Sequence, residues 1–203
     1  MKNLQILLSD ILKLKKDLEL QGMKLPPGLA GMYGEILVFQ KMQKVFKGTR
    51  FSVNFFSGQK GADMQLTDGR EKINVEIKTS RLKDEGSGIW QGAALNIKKC
   101  RSGKHTNVYN HPKRGKVSGD FCYFDFLVFV ALDESFSKPR FFIIPRSFIE
   151  KNEVLFRNAH KRFSSATHRI IISDGKRMPN MPPEQKKLIS ATEAFRDKWG
   201  QIV

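Results

Sequence analysis

Asp63, Glu76 and Lys78 are the residues of this chain whose types and spacing suit a definite chemistry. They lie in Gly-Ala-Asp-Met-Gln-Leu-Thr-Asp-Gly-Arg-Glu-Lys-Ile-Asn-Val-Glu-Ile-Lys-Thr-Ser, residues 61–80. Two carboxylates can hold Mg²⁺, a hard cation that takes oxygen ligands in near-octahedral geometry, and still leave places for water and a phosphate oxygen. A neighbouring lysine can orient or deprotonate the attacking water, or stabilise the pentacovalent phosphorus, and the residues alone leave these roles open. The chemistry suited to this set is metal-assisted phosphodiester hydrolysis. The bland alternative is a solvated charge pair on a strand surface, the usual fate of an isolated Glu-x-Lys.

A β-hairpin positions the three residues. From Lys72 to Thr79, the apolar Ile73, Val75 and Ile77 alternate with Asn74, Glu76 and Lys78, and successive side chains of a strand point to opposite faces. Glu76 and Lys78 therefore share the face away from the core. Asp68-Gly69 supplies the turn, because glycine takes a positive φ freely, and Ala62 to Thr67 pairs back antiparallel. Asp63 then falls near the Glu76 end of the hairpin.

Elements on either side extend the pattern. A helix is expected from about Leu29 to Phe46, then a strand at Phe51 to Phe56, where Phe51, Val53 and Phe55 alternate. After the hairpin come a short helix around Ile89 to Lys99 and the apolar run Phe121 to Leu132, which reads as a strand buried on both faces. The stretch resembles the PD-(D/E)XK nuclease superfamily, whose active site is an acid on one strand and Glu-x-Lys on the next, here Asp63 with Glu76-Ile77-Lys78. Ala62 stands where the family's usual proline would be. Gly31-Met32-Tyr33-Gly34-Glu35-Ile36-Leu37-Val38-Phe39 is similar to the family's first core helix, and Glu35 matches its additional acid.

The resemblance covers roughly residues 29 to 132. It implies an α/β fold with a restriction-endonuclease-like core: a helix, a three-stranded antiparallel meander, a helix and a strand. It also implies Mg²⁺ on Asp63, Glu76 and the Ile77 carbonyl, with Glu35 as a further or water-mediated ligand and Lys78 at the water. The implied activity is that of a small type II restriction enzyme, which cuts both strands of a short palindrome as a homodimer and leaves 5′-phosphate and 3′-hydroxyl ends. A Holliday-junction resolvase or mismatch nuclease would share this core. A non-enzymatic nucleic-acid-binding protein would keep the basic surface and treat the acids as structural.

Composition supports a polyanionic partner. The 203 residues include 36 Lys and Arg against 20 Asp and Glu, a net charge of 36 − 20 = +16. That length suits one α/β domain spanning residues 1–203. DNA, RNA or an anionic membrane would each satisfy the charge, the membrane least well. No apolar stretch approaches the ~20 residues that cross a bilayer, and no signal-peptide pattern opens the chain, so a prokaryote-like cytoplasmic protein is expected. No organic cofactor motif is present. Cys100, His105, His111 and Cys122 are spread too thinly for a zinc module, which favours tight pairs such as Cys-x-x-Cys.

The densest basic stretch, Asn96 to Gly119, carries Lys98, Lys99, Arg101, Lys104, Lys113, Arg114 and Lys116 with almost no apolar periodicity. It reads as a surface loop that meets double-stranded DNA. Arg81, just beyond Lys78, joins that set, as do Lys24 and Met23 in the Gly- and Pro-containing loop before the Glu35 helix. Lys24 would touch phosphate and Met23 would wedge between base steps, unless Met23 merely caps the core.

The ends complete the plan. Leu4, Leu7, Leu8, Ile11, Leu14 and Leu18 fall on helical spacing within an amphipathic helix at residues 2–20. This helix docks on the core or forms a dimer surface. Residues 133–203 add a strand at Arg140 to Ile144, a helix near Ser147 to Asn152, a strand around His168 to Ser173 and a helix from Pro183 to Trp199. Arg157, Lys161, Arg162, His168, Lys176 and Arg177 extend the positive surface.

Overall fold

Val128, Val130 and Leu132 alternate along one strand with Leu127, Phe129 and Ala131, and all of these residues are buried. A strand apolar on both sides must be covered on both. The structure, a computed structural model, describes residues 2–23, 25–56, 62–81, 89–91, 107–111, 115–119, 124–152, 155–156, 171–173 and 183–203. In chain order, α1 (Lys2–Leu20) and α2 (Pro27–Val45) precede β1 (Ser52–Phe55), β2 (Met64–Thr67) and β3 (Lys72–Arg81). Next come β4 (Ile89–Gln91), β5 (Asn107–His111), β6 (Gly115–Gly119), β7 (Phe126–Leu132) and β8 (Arg140–Pro145). The chain ends with α3 (Arg146–Lys151), β9 (Ile171–Ser173), α4 (Pro183–Glu193) and a 3-10 turn at Trp199–Ile202.

The main sheet has five strands in the order β1-β2-β3-β7-β8. β1, β2 and β3 form an antiparallel meander, β7 lies parallel to β3, and β8 is antiparallel to β7. With α2 ahead of the meander, this is a mixed α/β fold with the helix, meander and central strand of a restriction-endonuclease-like core. One apolar layer joins Ile11, Tyr33, Val38 and Met42 to Met64, Leu66, Val75, Ile77, Val128, Ile143 and Trp199. The other joins Leu127, Phe129, Phe142 and Ile144 to Ile149, Ile172, Leu188 and Ile189. Asp125 sets the β3–β7 register: its Oδ2 accepts the Asn74 N–H at 2.8 Å, and its own N–H donates to the Asn74 carbonyl at 2.8 Å.

Several expectations change. Ile89 to Gln91 is strand rather than the start of a helix, because β9 supplies a pairing partner, Trp90 opposite Ile172; residues 92–99 lie outside the described residues. Within the expected loop Asn96 to Gly119, β5 and β6 form an antiparallel hairpin. Pairing satisfies the backbone groups that face each other across the hairpin, so missing apolar periodicity does not exclude it. α4 stops at Glu193 instead of running to Trp199. The chain beyond it follows the outer edge of β8, where Ile143 N–H donates to Phe195 O at 3.0 Å and Asp197 N–H to Phe141 O at 2.9 Å, which covers an otherwise open sheet edge.

α1 docks on the core through Leu7, Leu8, Ile11, Leu12 and Leu18. Leu14, counted with the apolar stripe, is 41% exposed, while Lys15 is buried. The Lys15 ammonium lies 5.2 Å from the centre of the Phe136 ring, a favourable cation–π position that the wheel could not anticipate. α1 closes with Gly22 at φ 71°, Gly22 N–H donating to Glu19 O at 3.0 Å and Met23 N–H to Leu18 O at 2.8 Å. That pair of bonds is a Schellman cap. No described helix is long and apolar enough to cross a membrane.

α2 crosses β3 at Gly34, where an added Cβ would stand 2.0 Å from Thr79 Oγ1. The missing side chain sets how closely the helix approaches the strand bearing Glu76 and Lys78. Gly34→Ala is expected to destabilise the fold by about 1–3 kcal/mol in denaturant titrations, the cost of overpacking outweighing the gain in helix propensity. Thr79→Ala should recover part of that loss, because it removes the clashing hydroxyl, which is buried without a hydrogen-bond partner.

Candidate active site

β2 is shorter than β3, and the site forms where β2 ends. Met64 pairs with Val75, the last residue of β3 that β2 reaches. Asp63 comes next and stands opposite Glu76 by extension of that register. Its backbone stays tied to the meander, since Phe56 N–H donates to the Asp63 carbonyl at 2.9 Å. Its side chain takes over where the ladder stops, and Oδ2 accepts the Ile77 N–H at 2.6 Å. In a strand the N–H and C=O of one residue point to the same edge. The Ile77 carbonyl therefore faces the edge that carries the Asp63 carboxylate.

Glu76 and Lys78 share the opposite face of β3 from the α2 layer, as the alternation requires. Glu76 Oε1 and Lys78 Nζ form a close ion pair, with the side chains 19% and 29% exposed. Parallel pairing sets Glu76 beside Leu127 and Lys78 beside Phe129, both fully buried. The pair thus sits at the seam between the apolar layer over β7 and the polar face of the meander.

This seam governs the electrostatics. Burial pushes the Asp63 carboxyl above its ordinary range, opposed by the Ile77 N–H and the Lys78 charge. Burial likewise raises Glu76, with Lys78 opposing and the Asp63 charge adding to the rise. Two partly desolvated carboxylates that repel each other, with a carbonyl oxygen on the same edge, form an all-oxygen donor set that a hard divalent cation would relieve. The residues present fit that group.

Glu35 is carried by a different element from this pair. It is half-buried on α2, beside the Gly34 crossing and on the other layer of β3. Among the described residues no three His, Cys, Asp or Glu side chains gather as a metal cluster, so Glu35 does not form a direct three-acid ligand set with Asp63 and Glu76. Arg81 Nη1 donates to the Leu25 carbonyl at 2.7 Å, which ties the loop between α1 and α2 to the end of β3. Met23, 47% exposed, is the residue that completes the α1 cap. Lys24, Lys98, Lys99, Arg101, Lys104, Lys113 and Arg114 lie outside the described residues, as does the Lys116 side chain on β6. The same holds for Arg157, Lys161, Arg162, His168, Lys176, Arg177, Cys100, His105 and Cys122.

No family model matches the sequence, and no curated protein is similar to it. Among solved structures, a bacterial homing endonuclease, I-Ssp6803I, is similar at 16% identity, over 87% of this chain and 92% of that one, with a TM-score of 0.47. MepB is similar at 8% identity, over 77% and 93% of the two chains, with a TM-score of 0.35. Likenesses this low bear on neither the activity nor the partners of this chain.

Asp125 and Thr79 were not singled out in the sequence. An aspartate before an apolar run and a threonine after Lys78 carry no local signal. Their roles come from β7 and α2 respectively.

The raised carboxyls have a testable consequence for stability. Their folded values exceed the unfolded ones, so the folded state binds more protons, and stability is lost as pH rises through the raised range. Asp63→Asn should therefore melt higher than the unsubstituted chain at neutral pH in EDTA. The difference should shrink as pH falls below about 4, where both carboxyl forms are protonated. Adding Mg²⁺ or Mn²⁺ should raise the melting temperature of the unsubstituted chain and leave Asp63→Asn unmoved.

Proposed function

We propose that the chain is a single-domain, Mg²⁺-dependent endodeoxyribonuclease of the PD-(D/E)XK type, acting on double-stranded DNA. The observation that carries this reading is the meeting of Asp63 and Glu76 at the end of β2, with Lys78 on the Glu76 face. The helix–meander–strand core around them and the +16 charge support it. The finer reading is a small type II restriction enzyme that works as a homodimer on a short palindrome.

Asp63, Glu76 and the Ile77 carbonyl would hold the ion, with Glu35 contributing through water from α2. Bound Mg²⁺ supplies charge neutralisation at the phosphate and a more acidic water. The chain's residues do the rest. Ile77 N–H fixes the Asp63 carboxylate, so one of its oxygens is committed to the backbone and its plane is set. Glu76 holds Lys78 Nζ in place, where the ammonium would orient the attacking water or screen charge developing on phosphorus. Leu127 and Phe129 exclude water from one side of the pair, which strengthens each of these interactions.

Digestion of plasmid and linear duplex with Mg²⁺, followed by sequencing of the fragment ends, tests the reading. Discrete fragments from plain linear duplex are expected, with 5′-phosphate ends. Lys78→Ala should lower the cleavage rate by about 10²-fold or more while retaining DNA binding in Ca²⁺. Cleavage confined to branched or mismatched DNA would replace the restriction reading with a structure-specific one. Failure to cut any DNA would overturn the nuclease reading itself.

A further inference from the structure

The face of the meander that carries Asp63 and Glu76 continues away from them as a row of amides. Asn54 on β1 is in register with Gln65 on β2, and Gln65 with Asn74 on β3. The alternation directs all of these away from the apolar layer, since their neighbours Val53, Phe55, Met64, Leu66, Ile73 and Val75 belong to it. Gln65 Nε2 donates to Asn74 Oδ1 at 2.9 Å. Asn54 is exposed and the other two are half-buried. No residue of this meander contributes to the second apolar layer, which covers β7 and β8.

We infer that Asn54, Gln65 and Asn74 form the platform that grips the nucleic-acid strand beside the cut, a role that rests on the nuclease reading above. Asparagine is depleted in strands because it packs poorly on a pleated surface, so two of them aligned with a glutamine across three strands serve the sheet badly. They suit a polar ligand well. The Gln65–Asn74 bond uses one amide N–H and one carbonyl oxygen, leaving Asn74 Nδ2 and Gln65 Oε1 without partners among the described residues. An amide row offers donors and acceptors without net charge, so it adds no repulsion for phosphate beside two carboxylates. Asn74 precedes Glu76 by two residues, about 7 Å along the strand, and the row spans about 10 Å across the meander. Those lengths correspond to the axial rise of about two to three base pairs of duplex, at roughly 3.4 Å each. The platform is continuous with the acids on the same face.

The test compares the unsubstituted chain with Asn54→Ala, Gln65→Met and the double variant. Asn54 is exposed, and methionine keeps the length of glutamine without its hydrogen bonds. Steady-state cleavage is measured on duplexes carrying the sites that the unsubstituted chain cuts, alongside melting temperatures. The double variant should raise KM about tenfold, with kcat changed less than about threefold and the melting temperature nearly unchanged, as expected for lost ground-state hydrogen bonds. A KM rise equal over all sites assigns the contact to phosphate and sugar, whereas a changed order of preference among sites assigns it to base edges. An unchanged KM in an actively cutting double variant overturns the platform, as does a loss in melting temperature and kcat with KM intact. An unsubstituted chain that neither cuts nor binds DNA removes the nuclease reading instead, and the platform with it.

Discussion

The hydrogen bond from Ile77 N–H to the Asp63 carboxylate is the interaction on which the rest of the site depends. β2 stops pairing at Met64, while β3 continues to Arg81. An unpaired strand edge inside a folded chain leaves backbone donors that need partners. Asp63 supplies one from its side chain, and in doing so it is drawn in beside Glu76. The early end of β2 therefore sets two acids side by side at the point where the β2–β3 ladder stops.

The two faces of the sheet are unequal among the described residues, and the inequality gives the acid pair its electrostatics. The α1 and α2 layer extends across the whole meander, reaching Met64, Leu66 and Val75. Among the described residues the opposite layer, held by α3, β9 and α4, covers β7 and β8 and none of the meander. Glu76 and Lys78 stand on the boundary, next to Leu127 and Phe129. They are partly desolvated rather than fully buried, and the same burial raises the Asp63 and Glu76 carboxyls. Gly34 sets the remaining dimension, because a helix with any Cβ at that position could not lie so near Thr79.

The hairpin and its neighbours were legible in the sequence for a physical reason. Alternation at Ile73, Val75 and Ile77 reports a strand with one buried face, and β3 and β2 fall where that pattern and the Asp68-Gly69 turn put them. The double-sided apolar run predicted a central strand, and β7 is buried on both sides. Local pattern failed where a distant partner decided the outcome. Ile89 to Gln91 became strand because β9 lay alongside. α4 ended early because the edge of β8 offered backbone bonds to Phe195 and Asp197. Leu14 and Lys15 exchanged their expected environments because Phe136, far along the chain, placed its ring under the lysine.

Side-chain period and charge, read along the chain, determine that Glu76 and Lys78 share a face, that Asp63 approaches them across a turn, and that the surface is strongly basic. Those are properties of near neighbours and of totals, which sequence carries directly. Only the tertiary structure decided the rest. The parallel pairing with β7 set Leu127 and Phe129 against the acids, α2 carried Glu35 on the other layer of β3, and one Arg81 N–H was tied to the Leu25 carbonyl. Each depends on contacts between segments separated by tens of residues, and the alternation and spacing of one strand carry no record of what packs beside it.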